Sequence, residues 1–283
     1  MTSESPTLSA VIVDYHAGPA LEDCVASLEA NGVRDVVVVD NAAPGTARAA
    51  LARRRATVVE PGRNLGYGRG VNRGAAAAAP SRYLLVTNPD VVVHAGALDA
   101  LVAFLEERSD VAIAGPLIVR PDGTVYPSQR VFPNVWLAAT HALLAPWWPT
   151  NPATRRYRSP RADGTVDWVS GACFVIRRDA FEAVGGFDER YFMFAEDMDL
   201  CWRVRARGFG VAAVEGAVVT HVEGVSRRGV SRAMVIAHHA SALRFEAQTS
   251  RGWRRALLPV AALVLGLRLS VLTLRAGRGG GVD

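Results

Sequence analysis

Lysine is absent: all 32 basic residues of the 283-residue chain are arginine. This excludes the lysine-bearing phosphate loop G-x-x-x-x-G-K-[ST] and the lysine-containing, glycine-rich loop of sugar-1-phosphate nucleotidyltransferases. So complete a replacement reads as base-composition bias in a GC-rich genome rather than as chemistry. Cysteine is scarce. Cys24, Cys173 and Cys201 are far apart and odd in number, which suits neither a disulfide framework nor a zinc site and points to a reducing compartment. Met1 to Pro6 is polar and contains Glu4. With no basic start ahead of an apolar stretch, no secretory leader is expected and the protein is placed on the cytoplasmic side. After the first apolar run, Asp14-Tyr15-His16-Ala17-Gly18-Pro19 lacks the G-x-G-x-x-G fingerprint, and the glycine-rich Gly66–Gly74 stretch does not fit it. Dehydrogenase chemistry is therefore not expected.

What is present is an ordinary globular composition: 50% apolar, 21% charged and 7% aromatic residues. These proportions exclude disorder and collagen-like repetition, and no internal repeat is visible. A chain this long buries roughly three quarters of its unfolded surface and needs no staples. The net charge of +5 is unevenly placed. Residues 1–226 hold 22 Arg against 25 acids, whereas residues 227–283 hold 10 Arg against only Glu246 and Asp283. A nucleic-acid binder spreads basic residues over its folded core, so nucleic acid is not expected as a partner. Anionic lipid headgroups suit a local basic segment better. The chain accordingly divides into a main folded domain over 1–226 and a basic helical membrane-docking segment over 227–283.

The first 115 residues alternate short apolar runs with helical stretches. The runs Leu8–Asp14, Val36–Val39, Thr57–Val59, Tyr83–Val86 and Val111–Ala114 are separated by Ala20–Ala30, Ala47–Arg54, Gly70–Ala79 and Gly96–Glu107. Each intervening stretch is long enough for a crossover helix, so the pattern predicts an α/β fold with a mostly parallel sheet covered on both faces. Polar and glycine residues collect at the carboxyl ends of the runs, where open α/β sheets bind ligands. Further on, Asn134–Pro152, with Trp136, Trp147 and Trp148, reads as an apolar loop broken by prolines. Asp167–Ile176, Val211–Val214 and Val218–His221 read as strands, and Glu196–Gly208, Ser231–Ser250 and Trp253–Arg275 as helices.

Several polar positions fall where chemistry would be done, each with a plainer alternative. Asp40 ends the second run, where a carboxylate accepts hydrogen bonds from a base or ribose; it could equally cap a helix starting after Pro44. Asp90 follows Asn88-Pro89 at the end of the fourth run. It could hold a divalent cation against a diphosphate, since hard cations prefer oxygen ligands, or close an Asx turn. Glu196 and Asp197 open a helix, where the dipole favours acids whatever their function. His221 ends a short run as either a metal ligand or a satisfied polar residue.

Taken together, the residues resemble a family. The ordered set is Val11-Ile12-Val13-Asp14-Tyr15, Val38-Val39-Asp40-Asn41, Arg63-Asn64-Leu65-Gly66 with Gly70-Val71-Asn72, Asn88-Pro89-Asp90, Trp168-Val169-Ser170-Gly171-Ala172, Gly185-Gly186-Phe187-Asp188, the run from Phe192 to Arg203, and His221. It is similar to the family 2 glycosyltransferases of GT-A fold, most of all their bacterial rhamnosyltransferase branch, over residues 8–225. The resemblance implies a nucleotide-sugar site formed by Val13, Tyr15, Asp40, Asn41, Arg63, Asn64, Gly66, Asn72, Asn88 and Asp90. It implies a sugar and acceptor pocket around Trp168, Ser170, Gly171 and Ala172. Asp197 matches the catalytic base of inverting members, with Glu196 supporting it. Asp90 is the one carboxylate left where the family often has D-x-D, so the implied Mg2+ or Mn2+ would also need His221.

The implied partners are a nucleoside-diphosphate sugar, dTDP-L-rhamnose foremost, and a saccharide carried on a polyprenyl diphosphate in cell-wall or polysaccharide assembly. Another sugar donor, or a catalytically silent scaffold that binds sugar nucleotides, are the rival readings. The Trp253–Arg275 helix is interrupted by Pro259 and Arg268 and basic on both flanks. It is expected to lie on the cytoplasmic face of the membrane rather than cross it, with a packing or homodimer helix as the alternative.

Overall fold

The computed structural model describes residues 7–132, 148, 150–157, 164–222, 232–260, 262–263 and 265–266. Its strands are β1 (Leu8–Asp14), β2 (Asp35–Asp40), β3 (Thr57–Val59), β4 (Tyr83–Thr87), β5 (Val91–Val93), β6 (Val111–Val119), β7 (Gln129–Arg130), β8 (Thr165–Val166), β9 (Trp168–Val169), β10 (Cys173–Arg177) and β11 (Gly210–His221). The main sheet runs β3-β2-β1-β4-β10-β6-β11-β5, with β8 also paired to β11. Its first half is parallel, and the register sets Asp14 beside Asp40 where β1 and β2 end. In the second half β10 inserts antiparallel between β4 and β6, and β11 lies parallel to β6.

β1 shows why the sheet is covered on both faces. Side chains alternate along a strand, and here Ala10 and Ile12 enter one core while Val11 and Val13 enter the other. The helices Pro19–Ala30 and Ala97–Glu107 seal the first face with Leu21, Val25, Leu28, Leu101 and Leu105. Tyr67–Ala77, Glu196–Ala206 and Arg232–Thr249 seal the second with Val71, Leu200, Val204 and Phe245. The helix Tyr67–Ala77 lies unusually close to β1. A Cβ at Gly74 would fall 2.4 Å from Val11 Cγ1, and one at Gly70 2.9 Å from Val13 Cγ1. The glycine run of this segment therefore serves helix–sheet approach.

Four sequence expectations change. The single strand expected over Asp167–Ile176 is broken into β9 and β10 by a turn at Gly171. The two strands expected over Val211–Val214 and Val218–His221 are one, β11, with a register shift between Val214 and Val218. The helix expected over Ala47–Arg54 is Thr46–Ala50 followed by a turn. Fourth, part of the expected separate C-terminal segment is core: Phe245 is buried against the second-face cluster and Ser250 is fully buried. The 226/227 boundary itself, Trp136 and Trp147 of the proline-broken loop, and nearly half of Trp253–Arg275, including all of 267–275, lie outside the described residues.

A candidate sugar-transfer site at the carboxyl ends of the strands

The parallel strands carry Val13, Tyr15, Asp40, Asn41, Asn88 and Asp90 to one rim of the sheet. Val13 is buried under Gly70, and Tyr15 stands 42% exposed with its ring edge-on to His16. Asp40 is buried, and its carboxylate accepts from Ala42 N–H at 3.1 Å, Thr46 Oγ1 at 3.0 Å and Ala47 N–H at 3.0 Å. It organises the start of the Thr46–Ala50 helix, the plainer of its two readings. Beside it, burial raises the Asp14 carboxyl above its ordinary range, opposed by the Ala17 N–H and reinforced by Asp40.

Asn41 donates from Nδ2 to Gly66 O at 2.9 Å and accepts Leu65 N–H at 3.3 Å. Asn64 closes its own turn by accepting Gly66 N–H. These bonds shape the loop that leaves Arg63 exposed at the rim. Asn72, expected in the same set, makes its contacts towards the later half of the chain. Its amide is engaged by the backbone of Phe187, donating to Phe187 O at 2.9 Å and accepting Phe187 N–H at 2.8 Å. It pins the Gly185–Asp188 turn beneath the second half of the site.

Asp90 and His221 are both buried and meet, Asp90 Oδ1 lying 3.1 Å from His221 Nε2. The Asn88 amide stands 3.4 Å from the same nitrogen. One ring nitrogen cannot serve both a donor and an acceptor, and an Asn amide can be turned either way. With the Asn88 oxygen inward, three lone-pair groups converge. Two ligands at right angles on an octahedral ion with bonds of about 2.1 Å lie about 3.0 Å apart. The observed separation fits that edge. Among the described residues no three His, Cys, Asp or Glu side chains gather as a metal cage. The residues therefore suit a cation completed by substrate oxygens and water.

The acid pair comes from the opposite side. Glu196 and Asp197 open the helix Glu196–Ala206 just after Phe194 and Ala195, which hold φ of 69° and 61°. Left-handed backbone at non-glycine residues costs roughly 1–3 kcal/mol each and gathers where function demands it. Asp197 Oδ2 accepts Gly171 N–H at 2.8 Å and Oδ1 accepts Met198 N–H at 2.8 Å. Burial raises the Asp197 carboxyl, opposed by the Gly171 and Met198 N–H groups and Arg130. Burial first, then the Asp197 charge, pushes Glu196 up to about 8. Glu196 thus keeps its proton at neutral pH.

The expected acceptor loop is here too. Ser170 N–H donates to Ser128 O, Ala172 O accepts Asn88 N–H, and Trp168 is buried beneath Arg130, its ring centroid 5.1 Å from the guanidinium carbon. Three contributors were not singled out in the sequence: Tyr67, Tyr126 and Arg130. Tyr67 donates to Gly171 O at 2.6 Å, and the Tyr126 ring meets His221 edge-on. Tyr67 had one legible signal, its place directly after Arg63–Gly66.

A parallel nucleotide-binding half, a polar rim with a cation-suited Asn-Asp-His group, and a buried acid facing it define a GT-A sugar transferase. The comparisons agree. Residues 6–237 match the family described as glycosyltransferase like family 2, and the chain belongs to that family. It is 40% identical over 268 residues to the N-acetylglucosaminyl-diphospho-decaprenol L-rhamnosyltransferase of Mycobacterium tuberculosis, spanning 89% of this chain and 87% of that one. Solved structures share the fold. The mannosyltransferase PcManGT of Pyrobaculum calidifontis, in complex with GDP-Man and Mn2+, superposes with a TM-score of 0.60 at 18% identity, covering 99% of this chain and 77% of that one. TarS 1-349 of S. aureus, in complex with UDP-GlcNAc, gives 0.57 at 14% identity, covering 90% and 70%.

Proposed function

We propose that this glycosyltransferase moves L-rhamnose from dTDP-L-rhamnose, with inversion, onto N-acetylglucosamine carried by a polyprenyl diphosphate at the cytoplasmic face of the membrane. The observation that carries the reading is the 40% identity with the mycobacterial rhamnosyltransferase over nearly the whole of both chains. In the reaction an acceptor hydroxyl oxygen bonds to the anomeric carbon as the bond to the donor's diphosphate oxygen breaks. The hydroxyl proton passes to the Asp197 carboxylate, and the nucleoside diphosphate leaves with the bonding pair. Glu196, protonated beside it, spares Asp197 a second negative neighbour. A single base opposite the leaving group gives inversion without a covalent intermediate. Asn88, Asp90 and His221 would hold a divalent cation, Mg2+ or Mn2+, whose charge offsets that of the departing diphosphate. The exposed Arg63 would meet the same oxygens.

The test is transfer by the full chain, with manganese, to polyprenyl-diphosphate N-acetylglucosamine from each of dTDP-L-rhamnose, UDP-N-acetylglucosamine, GDP-mannose and UDP-galactofuranose. Only the first should give a disaccharide lipid by mass spectrometry. Transfer from another donor alone would replace rhamnose in the proposal. Asp197→Asn should keep the dTDP-induced rise in melting temperature while turnover falls about 10²–10⁴-fold, the usual worth of a general base. Retention of more than about a tenth of the activity would remove Asp197 from that role.

A further inference from the structure

Tyr67 touches both segments that frame the acid pair. Its backbone N–H donates to Phe192 O at 3.0 Å, on the strained turn leading into Glu196. Its hydroxyl donates to Gly171 O at 2.6 Å, and the N–H of the same glycine donates to Asp197 Oδ2 at 2.8 Å. The contact at Phe192 exists because residue 66 is glycine. A Cβ there would fall 2.2 Å from Phe192 O, and its φ of +83° suits no other residue. Gly171 is less severely confined, for a Cβ would lie 3.3 Å from Asp197 Cβ and 3.4 Å from the Tyr67 ring. The hydroxyl thus fixes a turn that, through the Gly171 N–H, bonds the proposed base on the helix Glu196–Ala206.

We propose that Tyr67 is a positioning residue for the transfer reaction: by holding the Gly171 carbonyl, it aims the Gly171 N–H at Asp197 and keeps that carboxylate oriented and ionised. The proposal rests on Asp197 being the base. A hydrogen bond to the charged form favours it, and here it works against the burial that raises the Asp197 carboxyl. The other charged or titratable groups facing Asp197 are Glu196 beside it, Arg130 on β7 and Cys201 one turn along its own helix. The hydroxyl reaches Asp197 through the Gly171 turn, so its removal acts on Asp197 along that link.

Tyr67→Phe keeps the ring and removes only the bond. With the Gly171 turn loosened, Asp197 takes up its proton more readily, and the acid limb of the kcat profile moves to higher pH. The expected shift is about half to one unit, lowering kcat about three- to tenfold below the limb and little above it, since one unit is tenfold in protonation. Donor KM and the dTDP-induced thermal shift should stay at wild-type values. Gly171→Ala disturbs the same link from its other end and should move the limb in the same direction. A Tyr67→Phe profile that is unmoved, or lowered equally at every pH, would overturn the positioning role. Asp197→Asn, run alongside, separates the two ideas: if it stays active, the base assignment falls and takes this proposal with it. If it is inactive while the Tyr67→Phe limb is unmoved, only the positioning role falls.

Discussion

Glu196, buried, and Asp197, half-buried, are adjacent acids in one site, and two negative charges there would repel. The pair titrates as a unit, and the raised Glu196 carboxyl resolves the conflict by retaining a proton. This has a consequence for stability. Unfolded, Glu196 titrates near 4.5, and folded near about 8. Between those values the folded state binds more protons than the unfolded one, so stability falls as pH rises. Stabilisation relative to the ionised site is fully present below pH 4.5 and is lost as pH passes through about 8. Glu196→Gln, which cannot ionise, should melt close to wild type at pH 4.5 and increasingly above it towards pH 8. Parallel melting curves across that range would show that Glu196 does not carry the proton. At this scale the acids, Asn88 and His221 were legible in the sequence, because each ends a strand or opens a helix. Tyr67 was not. Its partner Gly171 is 104 residues away, and no local pattern announces a contact of that span.

Among the elements, the parallel half was legible because β1, β2 and β4 are continuous apolar runs, the mark of strands buried on both faces. The later half was less so. β10 enters the sheet antiparallel between strands distant in sequence, and the break between β9 and β10 exists to present the Gly171 N–H to another element. Neither is encoded in periodicity. Asp40 shows how one residue divides between readings. Its carboxylate ties the end of β2 to the Thr46–Ala50 helix, a segment too short to stand unaided. Asp40→Ala should therefore lower stability by about 1–2 kcal/mol, the upper range for lost caps, measured by urea denaturation of the nucleotide-free protein. A loss of dTDP binding with unchanged denaturation would instead give Asp40 to the nucleoside and leave the helix start to other bonds.

In the whole molecule, the helix Arg232–Thr249 joins catalysis to the C-terminus. Ser241 Oγ donates to Met193 O at 2.8 Å, Gln248 Nε2 to Asp199 Oδ1 at 2.7 Å, and the His238 ring lies 5.2 Å from that of Phe194. These contacts brace the strained turn before Glu196, so this helix belongs with the catalytic domain. Beyond the buried Ser250 the character changes. Trp253 is 71% exposed, Val260 56% and Leu263 64%, with Arg251 and Arg255 exposed beside them. No helix among the described residues is long and apolar enough to cross a membrane. Exposed apolar groups with arginines suit an interface, where burial adds to attraction of roughly 1 kcal/mol per basic residue near anionic headgroups. Ending the chain after Ser250 should leave the brace, the nucleotide site and the dTDP-induced thermal shift intact while abolishing flotation with anionic vesicles. Full-length protein should float at low salt and less so at 1 M, where the screening length shrinks to about 3 Å. Transfer to a water-soluble acceptor analogue should survive truncation, and transfer to a long polyprenyl acceptor should fall. Ending the chain before Arg232 should instead unfold the catalytic turn, because Ser241, Phe245 and Gln248 go with it. Full-length protein that fails to float at low salt would reassign the segment beyond Ser250 from docking to packing or dimerisation.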